Sequence, residues 1–365
     1  MPKRTPFFDV HRQAGAKMID FGGYEMPVHY TGIRREHLAV REHAGMFDVS
    51  HMGEFFISGD QAEALLQHIT VNDVSKLVPG KAQYSAICYP DGGIVDDLIV
   101  YKLADDRFMM VVNASNREKD LEWVMNNNHM NALVEDLSDE MCLLAVQGPK
   151  AELILQKITG VPLSDISFYT FATGRLAGFD GVIISATGYT GERGFELYFD
   201  RRETDPRAVW SAIMHYGVAE GLEPAGLGAR DTLRLEMGYA LYGNDISRET
   251  NTIEAGLGWI TKLAKGDFIG REALEKIKIT GPARKLCGFV MDEERAIPRQ
   301  GYEILSDAGE VIGHVTSGTQ SITSGAGIGM GYVKTGFSGE DTRIKIRVRN
   351  RDIPAVVKKP PFIRK

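Results

Sequence analysis

Thr187-Gly-Tyr-Thr-Gly-Glu-Arg-Gly-Phe-Glu196 stands between two strand-like stretches, Gly181-Val-Ile-Ile184 and Phe195-Glu-Leu-Tyr198. Its glycines recur every third residue, which marks a backbone that turns tightly or lies close against another group. The pattern predicts a glycine-rich turn between two strands, with the phenol of Tyr189 and the carboxylate of Glu196 held on a stiff support. A plain hairpin and a ligand-binding turn both fit this run, so the rest of the chain has to decide between them.

Strands and helices on both sides of this turn follow a repeated order. Residues 53–125 predict a strand, a helix, three strands and a helix, and residues 140–215 predict a similar order. We therefore expect two related α+β units, each an antiparallel sheet with helices on one face. Residues 226–278 are predicted to be helical. After Gly281-Pro282, short strands rich in glycine, serine and threonine predict a small all-β domain, either a sandwich or a barrel.

Length and charge restrict the class of protein. A chain of 365 residues favours two or three domains with a large buried core. The net charge of −7 argues against nucleic acid as a main partner. Residues 340–365 are an exception, since they carry nine basic residues and three acidic ones. The strand-like run from Thr342 to Arg351 alternates basic and apolar residues, which fits either a charged outer face that prevents strand pairing or a surface that meets an anion.

Cysteines, apolar runs and known cofactor motifs exclude further classes. The three cysteines are far apart, which excludes a disulfide framework and a cysteine-based zinc site and favours a reducing compartment. No stretch predicts a signal peptide, a transit peptide or a membrane span, so we expect a cytoplasmic protein of bacterial type. Gly226-Leu-Gly228 begins like a dinucleotide fingerprint, but Asp231 replaces its third glycine. We therefore expect no NAD, no flavin and no metal.

Two adjacent acids, Asp96 and Asp97, lie inside an otherwise apolar strand pattern. Neighbours in a strand point to opposite faces, so at most one of the two faces the core. A buried carboxylate is costly without a partner, and such positions are candidates for tuned acids or bases. An edge strand with both acids in solvent is the alternative.

A predicted helix opens at Gly226 and carries a cation in its first turn. Arg230 is badly placed for the helix dipole, which favours acidic side chains near the N-terminus. We expect Arg230 to be held by a carboxylate from elsewhere or to meet a ligand.

Taken with the glycine-rich turn, several segments match one family in order and along nearly the whole chain. They are Ala16-Lys-Met-Ile-Asp-Phe-Gly-Gly-Tyr-Glu-Met-Pro27, Met46-Phe-Asp-Val-Ser-His-Met-Gly53, Gly92-Gly-Ile-Val-Asp-Asp-Leu-Ile-Val-Tyr101, Val112-Asn-Ala-Ser-Asn-Arg-Glu-Lys-Asp120, Ala145-Val-Gln-Gly-Pro149, Gly226-Leu-Gly-Ala-Arg-Asp-Thr-Leu-Arg-Leu-Glu236 and Lys359-Pro-Pro-Phe362. The chain resembles the glycine cleavage system T-protein, an aminomethyltransferase. It departs from the family pattern at Tyr24, where tryptophan is common, and in the barrel segment Thr316–Ser324.

The resemblance implies an α+β fold of three domains in a ring, with tetrahydrofolate in the central hole. Two ferredoxin-like α+β units with exchanged segments would cover residues 1–280. One would combine approximately residues 1–50 with 138–220, and the other approximately 51–137 with 221–280. Residues 281–365 would form a C-terminal β-barrel.

The resemblance also implies a reaction and its partners. The methylene of an aminomethyl group on the lipoyl arm of the H-protein would pass to tetrahydrofolate as co-substrate. Ammonia would leave, and 5,10-methylenetetrahydrofolate and dihydrolipoyl protein would form. Two alternatives on the same fold are another tetrahydrofolate-dependent demethylase and a non-catalytic folate-binding protein that assists iron–sulfur assembly. Both usually differ from this chain in the matched segments, or carry motifs that it lacks.

Site residues follow from the matched positions. Glu196 would accept the two adjacent N–H donors of the pterin, Tyr189 would bond to or stack on the ring, and Arg230 would orient the ligand or its neighbours. Asp97 is the catalytic candidate, because a carboxylate stabilises the positive charge that develops as the thiol leaves. The remaining implied contacts are folate-pocket positions Met52, Tyr84, Tyr101 and Asn113, and Arg364 toward the glutamate tail or the H-protein.

Overall fold

The computed structural model describes residues 2–293 and 296–363. Helices in this part of the chain are α1 (Phe8–Gln13), α2 (Ile33–Glu42), α3 (Ala62–Ile69), α4 (Arg117–Asn126), α5 (Ala151–Leu155), α6 (Pro206–Gly217), α7 (Leu227–Glu236) and α8 (Arg271–Thr280). Strands are β1 (Lys3–Arg4), β2 (Lys17–Phe21), β3 (Tyr24–His29), β4 (Ala44–Asp48), β5 (Gly53–Ser58), β6 (Lys81–Cys88), β7 (Ile94–Ala104), β8 (Arg107–Val112), β9 (Leu133–Asp136), β10 (Met141–Gln147), β11 (Phe171–Leu176), β12 (Phe179–Ser185), β13 (Gly194–Asp200), β14 (Leu222–Pro224), β15 (Arg284–Met291), β16 (Glu303–Ser306), β17 (Val311–Gln320), β18 (Gly327–Lys334), β19 (Arg343–Val348) and β20 (Arg351–Val357).

The predicted repeat is visible in both element order and sheet order. The first copy runs β5-α3-β6-β7-β8-α4 and the second runs β10-α5-β11-β12-β13-α6. Their sheets have the orders β6-β7-β8-β5-β9 and β11-β12-β13-β10-β4-β14. In each copy the second, third and fourth strands are successive neighbours and the first strand lies beside the fourth. The two copies therefore share one topology, although their residues differ.

The sheet that carries the glycine-rich turn is built around a continuous apolar core. Its strands β10, β12 and β13 contribute alternating buried side chains, against which helices α5 and α6 pack. Helix α6 begins with Asp205 accepting from the backbone N–H of Arg207 and with Pro206 in the first turn, both favourable at a helix N-terminus. Core members include Leu144, Val146, Ile184, Leu197 and Trp210.

The C-terminal segment forms a closed barrel, as predicted. Its strand order is β15-β18-β17-β16-β19-β20, and β20 pairs back onto β15. Closure leaves no open sheet edge, and apolar side chains fill the interior. The barrel core includes Phe289, Ile304, Val315, Val333 and Ile346. The mixed α+β fold with a C-terminal barrel is thus confirmed.

Two compact units divide the chain, and each is discontinuous in sequence. The first unit comprises the described residues of Met1–Gln67, Val74–Tyr84 and Leu98–Asp231. The second comprises those of His68–Asp73, Ser85–Asp97 and Thr232–Lys365. Strands β6 and β7 and helix α7 each contribute residues to both units. The domain boundaries expected from the sequence stay a prediction.

The prediction of helix over residues 226–278 is wrong for most of its length. Helix α7 ends at Glu236 and helix α8 begins at Arg271, and the residues between them form turns and a single 3₁₀ segment, Leu263–Lys265. Glycines at 238, 243, 256 and 266 have positive φ angles, which a continuous helix does not allow. No helix in the described part of the chain is long and apolar enough to cross a membrane.

A buried carboxylate, Glu36 on α2, ties the start of α7 to the first unit. Its Oε1 accepts the backbone N–H groups of Tyr30, Thr31 and Gly32 at 2.6, 2.9 and 3.0 Å. Its Oε2 accepts the N–H of Gly226 at 2.9 Å, directly before α7. Glu36 is fully buried, so water cannot replace these bonds. It therefore helps to place the helix that carries Arg230.

Replacing Glu36 with glutamine is expected to lower the free energy of unfolding by about 2 kcal/mol, the scale of a hydrogen bond to a charged group. The amide keeps the shape of the side chain but brings a donor against the N–H of Gly226. Urea unfolding followed by circular dichroism measures the change. Glu42→Gln is the matched control, because Glu42 lies on the same helix and is exposed. Equal midpoints for the two variants would contradict the role given to Glu36.

Candidate functional site

Residues 186–193, the glycine loop, join neighbouring strands of one sheet. Glu196 pairs with Ser185 of β12 on one side and with Ala145 of β10 on the other, so its backbone lies on a strand bonded along both edges. Such a position is stiff, and the predicted turn between two strands is confirmed. The sheet therefore holds Glu196 in place from its backbone outward.

Two glycines allow the loop to follow its path. A Cβ at Gly188 would lie 2.0 Å from Oε1 of Gln147, which is closer than any real contact. Gly191 has a φ of +74°, a left-handed conformation that favours glycine. Close approach and the left-handed turn both need residues without a side chain here.

Polar side chains anchor the loop from two directions. Nε2 of Gln147 donates to the carbonyl of Thr187 at 3.1 Å, and Oγ1 of Thr190 donates to Oε1 of Gln147 at 3.0 Å. Arg41 of α2 donates to the carbonyl of Thr190 at 2.7 Å and forms an ion pair with Glu192 at 2.7 Å. The Arg41 side chain is only 8% exposed, so this pair is shielded from solvent. The loop is held as firmly as the strands that it connects.

Tyr189 and Arg230 form a second part of the site. The guanidinium carbon of Arg230 lies 4.6 Å from the centre of the Tyr189 ring, a cation–π distance. Both side chains are half-buried. The group from outside its own helix that Arg230 meets here is an aromatic ring, and the expectation of a carboxylate partner or a ligand stays a prediction.

Hydroxyl groups surround one oxygen of the Glu196 carboxylate. Oγ1 of Thr187 donates to Oε2 at 2.5 Å, and the Tyr198 hydroxyl donates to the same oxygen at 3.3 Å. The Tyr101 hydroxyl lies 2.9 Å from that of Tyr198 and 3.1 Å from Oγ1 of Thr187, which is 3.0 Å from Oγ of Ser185. Burial and the Glu196 charge raise the pKa of Tyr101 and Tyr198 above the ordinary value, so both phenols stay protonated. No hydrogen bond from the described residues reaches Oε1 of Glu196.

A neutral histidine lies within the electrostatic reach of Arg230. His51 is 2% exposed, its ring packs edge-on against those of Phe21 and Tyr24, and its Nδ1 has no hydrogen-bond partner in the described chain. Burial, followed by the positive charge of Arg230, lowers the pKa of His51 to about 4, although Asp48 opposes this shift. His51 therefore carries no charge near neutral pH, and Arg230 supplies positive charge beside it.

The lowered pKa of His51 predicts how the stability of the protein depends on pH. Between an unfolded pKa near 6.5 and a folded pKa of about 4, the unfolded chain binds a proton that the folded chain does not. Stability therefore falls as the pH drops through this window, by up to about 3 kcal/mol from this group. We expect His51→Gln to flatten the curve of unfolding free energy between pH 6.5 and 4, measured by urea denaturation. His129→Gln, at an exposed position, should keep the wild-type slope, and an unchanged slope in His51→Gln would contradict the assignment.

Strand β7 separates the two adjacent acids as the alternation of a strand requires. Asp96 is fully buried and Asp97 is half-buried. The expectation that at most one of them faces the core is confirmed, and the half-buried member, Asp97, is the one matched to the catalytic position. Both belong to the second unit, while Tyr101, farther along β7, belongs to the first.

The other predicted contacts differ in accessibility. Tyr101 is fully buried, and its hydroxyl contacts Tyr198 and Thr187. Its implied role as a direct folate contact stays a prediction. Arg364 lies outside the described residues. The half-buried members of the predicted set are Met52, Tyr84 and Asn113.

Several of the basic side chains that alternate with apolar ones near the C-terminus form ion pairs with acidic neighbours. Arg347 of β19 pairs with Glu303 at 2.7 Å and with Asp352 at 2.8 Å. Lys345 pairs with Asp307 at 3.6 Å, and Arg351 with Glu293 at 3.1 Å. These pairs favour the charged outer face over the anion-binding surface, because the cations already have partners on the barrel.

Sequence reasoning missed the residues that support Glu196. Tyr198, Ser185 and Gln147 carry no local signal of this role, since each reads as an ordinary strand residue. The hydroxyl of Thr187 lay within the quoted run but was not singled out. Within residues 2–293 and 296–363, no group of three or more His, Cys, Asp and Glu side chains is arranged to hold a metal.

Comparison with protein families decides which known group this arrangement belongs to. The profile described as "GCVT N-terminal domain" matches residues 7–265, and the profile described as "Glycine cleavage T-protein C-terminal barrel domain" matches residues 284–363. This chain belongs to the glycine cleavage T-protein family.

The similarity to known aminomethyltransferases extends over the full length of the chain. An aminomethyltransferase of Bacteroides thetaiotaomicron is 54% identical over 99% of this chain and 99% of its own length. One of Flavobacterium psychrophilum is 52% identical over the whole of both. The crystal structure of glycine cleavage system aminomethyltransferase T from Bartonella henselae is 33% identical, with a TM-score of 0.92, and the match covers 100% of this chain and 98% of that one.

These matches bear on the expectations from the sequence. The resemblance to the T-protein family is confirmed, and so is the expected enzyme class, an aminomethyltransferase. The α+β fold with its C-terminal barrel agrees with the solved T-protein structure. The roles of individual site residues stay predictions.

Proposed function

We propose that this chain transfers the methylene of an aminomethyl group from the lipoyl arm of the H-protein to tetrahydrofolate. The sulfur–carbon and carbon–nitrogen bonds of the aminomethyl group break, and two bonds form from its carbon to N5 and N10 of the folate. The two N–H protons of the folate leave with the products, one on the lipoyl thiol and one on ammonia. The products are 5,10-methylenetetrahydrofolate, ammonia and the dihydrolipoyl protein.

The Glu196 carboxylate is the observation that carries the proposal. The described hydrogen bonds from Thr187 and Tyr198 end on Oε2, whereas Oε1 accepts none from the described residues. A 2-amino-4-oxo pyrimidine ring, as in folate, presents two adjacent N–H donors, and a carboxylate accepts such a pair as a fork. Tyr189, fixed over the Arg230 guanidinium, supplies an aromatic face with a defined orientation. These groups suit recognition of a pterin.

Asp97 is proposed as the catalytic residue. Its side chain is half-buried, so it remains accessible to a substrate, while its neighbour Asp96 is enclosed. A carboxylate aimed at developing positive charge stabilises the transition state more than the ground state. Such a positive charge develops on the transferred carbon as the thiol leaves. Asp97 is the acid that matches the catalytic position of the family.

We place this reaction in the cytoplasm, where unpaired thiols remain reduced. Cys88, Cys142 and Cys287 are all unpaired. Burial raises the pKa of Cys88 and of Cys287 to about 12, which keeps both thiols protonated and unreactive. The cysteines therefore have no part in the proposed transfer.

One assay tests the proposed function directly. The purified protein is mixed with aminomethylated H-protein and tetrahydrofolate, and both ammonia and methylenetetrahydrofolate are followed with time. We expect stoichiometric release of the two products, dependent on folate. The control omits tetrahydrofolate. Folded protein that releases no ammonia above this control would overturn the proposal.

A further inference from the structure

The hydroxyl cluster behind Glu196 is closed to water. Ser185, Thr187, Tyr101 and Tyr198 are 0, 3, 0 and 1% exposed. Each hydroxyl has one proton, so it can donate only one hydrogen bond.

Two hydrogen bonds from the described residues end on Oε2 of Glu196. Oγ1 of Thr187 donates at 2.5 Å and the Tyr198 hydroxyl donates at 3.3 Å. With these two protons used, the one proton of Tyr101 can be donated to Oγ1 of Thr187 at 3.1 Å or to the Tyr198 hydroxyl at 2.9 Å, but not to both. Oγ of Ser185 lies 3.0 Å from Oγ1 of Thr187. Two hydroxyl donors therefore converge on Glu196.

We propose that Thr187 and Tyr198 are positioning residues. They hold the Glu196 carboxylate in one orientation as a hydrogen-bond acceptor, and so restrict the site to ligands with two adjacent N–H donors. This inference rests on the proposed function, since it concerns how the same carboxylate selects its folate. Charge-assisted hydrogen bonds to Oε2 fix the rotamer of the Glu196 side chain. A ligand edge with a carbonyl in place of a donor would set lone pairs against the carboxylate.

The residues around Glu196 hold its carboxylate rigidly, which strengthens the discrimination between ligands. Thr187 is itself held, since its carbonyl accepts from Gln147, and Glu196 is bonded on both sides within the sheet. A carboxylate that cannot rotate cannot adapt to a different donor pattern. Sites built to pair with a substrate N–H reject analogues without it far more strongly than apolar pockets reject a missing methylene.

The test compares variants that remove single hydroxyls. Thr187→Val and Tyr198→Phe keep the volume of the side chain, Thr187→Ser restores the hydroxyl, and Thr173→Val is the control on an exposed strand position of the same sheet. The probes are tetrahydrofolate and an analogue in which a methyl group replaces the 2-amino group. The affinity of each variant for each probe is measured, and turnover is measured with H-protein.

The proposal makes an ordered set of expectations. Thr187→Val binds tetrahydrofolate about 10-fold more weakly and discriminates less against the methyl analogue. Tyr198→Phe changes in the same directions by a smaller factor, because its bond is longer. Thr187→Ser and Thr173→Val behave as wild type. At saturating folate, the turnover of every variant stays within about 3-fold of the wild-type value. The reason is that these substitutions weaken the binding of folate by Glu196 and do not alter the chemical step.

Two results would overturn the inference. One is wild-type affinity for tetrahydrofolate and wild-type discrimination against the methyl analogue in both Thr187→Val and Tyr198→Phe. The other is a loss in Thr187→Val that Thr187→Ser does not restore, which would assign the effect to packing. Failure of the proposed function would be distinguishable from failure of this inference. In that case the wild-type protein itself would release no folate-dependent ammonia, whereas the affinity measurements would still test the role of Thr187 and Tyr198 in positioning Glu196.

Discussion

Asp97→Asn is expected to lower turnover about 100-fold while leaving tetrahydrofolate affinity within a few-fold of wild type. Asparagine keeps the size and the half-buried position of the side chain but removes its negative charge. The charge contributes only while positive charge develops on the transferred carbon, so its loss reduces kcat and spares ground-state binding. Folate-dependent ammonia release from aminomethylated H-protein measures kcat, and fluorescence titration measures folate affinity.

Asp96→Asn is the internal comparison for this experiment. Asp96 is the next residue on β7 and is fully buried, so its replacement should act on folding more than on chemistry. We expect a lower unfolding midpoint and a kcat close to wild type. A larger loss of kcat in well-folded Asp96→Asn than in Asp97→Asn would show that the roles of the two acids are reversed.

Arg234→Met is expected to cost about 4 kcal/mol of unfolding free energy, because it leaves a buried carboxylate without its cation. Arg234 donates to Asp245 at 2.7 Å and to Oγ of Ser317 at 2.9 Å, and the side chains of the ion pair are 2% and 0% exposed. Asp245 keeps its bonds from Thr316 at 2.5 Å and from the backbone N–H of Leu241 at 3.0 Å. These donors reduce the loss of unfolding free energy, but they do not replace the positive charge of Arg234. Urea unfolding followed by circular dichroism measures it.

A matched exposed pair lies in the same unit. Arg248 contacts Asp91 at 2.6 Å, with side chains 46% and 60% exposed, so Arg248→Met should change stability little. The double variant Arg234→Met with Asp245→Asn should recover part of the loss, since it removes the unpaired charge. Equal effects of Arg234→Met and Arg248→Met would contradict the importance of burial at this pair.

The barrel segment that departs from the family pattern is tied to the same helix. Glu236 of α7 accepts from Oγ of Ser321 at 2.7 Å and from the N–H and Oγ1 of Thr323 at 3.0 and 2.9 Å. The sequence predicted only that this segment differs. The structure shows how the segment is held, since the buried carboxylate of Glu236 accepts hydrogen bonds from Ser321 and Thr323.

Much of the fold was predictable because its signals are local. Alternating apolar residues and the glycine spacing in Thr187–Glu196 define strands and turns over a few residues. The change of composition after Gly281 marks the barrel. Residues 226–278 misled the prediction because apolar residues there recur at helical spacing only near the ends, where α7 and α8 form.

The candidate site divides in the same way. Glu196, Tyr189, Arg230 and Asp97 were found from matched motifs, which need only residue identity and order. That Asp96 and not Asp97 is enclosed was beyond the sequence, because alternation separates two neighbours without saying which face becomes covered.

By itself, the sequence determined the family, the alternation of elements and the glycine-rich turn with its phenol and carboxylate. Only the tertiary structure decided what that carboxylate can do. The hydroxyl cluster behind it brings together Thr187 of the glycine loop, Tyr198 of β13, Tyr101 of β7 and Ser185 of β12. Arg234 likewise pairs with Asp245 and Ser317 at separations that no local pattern encodes. Local propensity acts between near neighbours, whereas burial and hydrogen-bond partners depend on which segments pack together, and that is set by the whole chain.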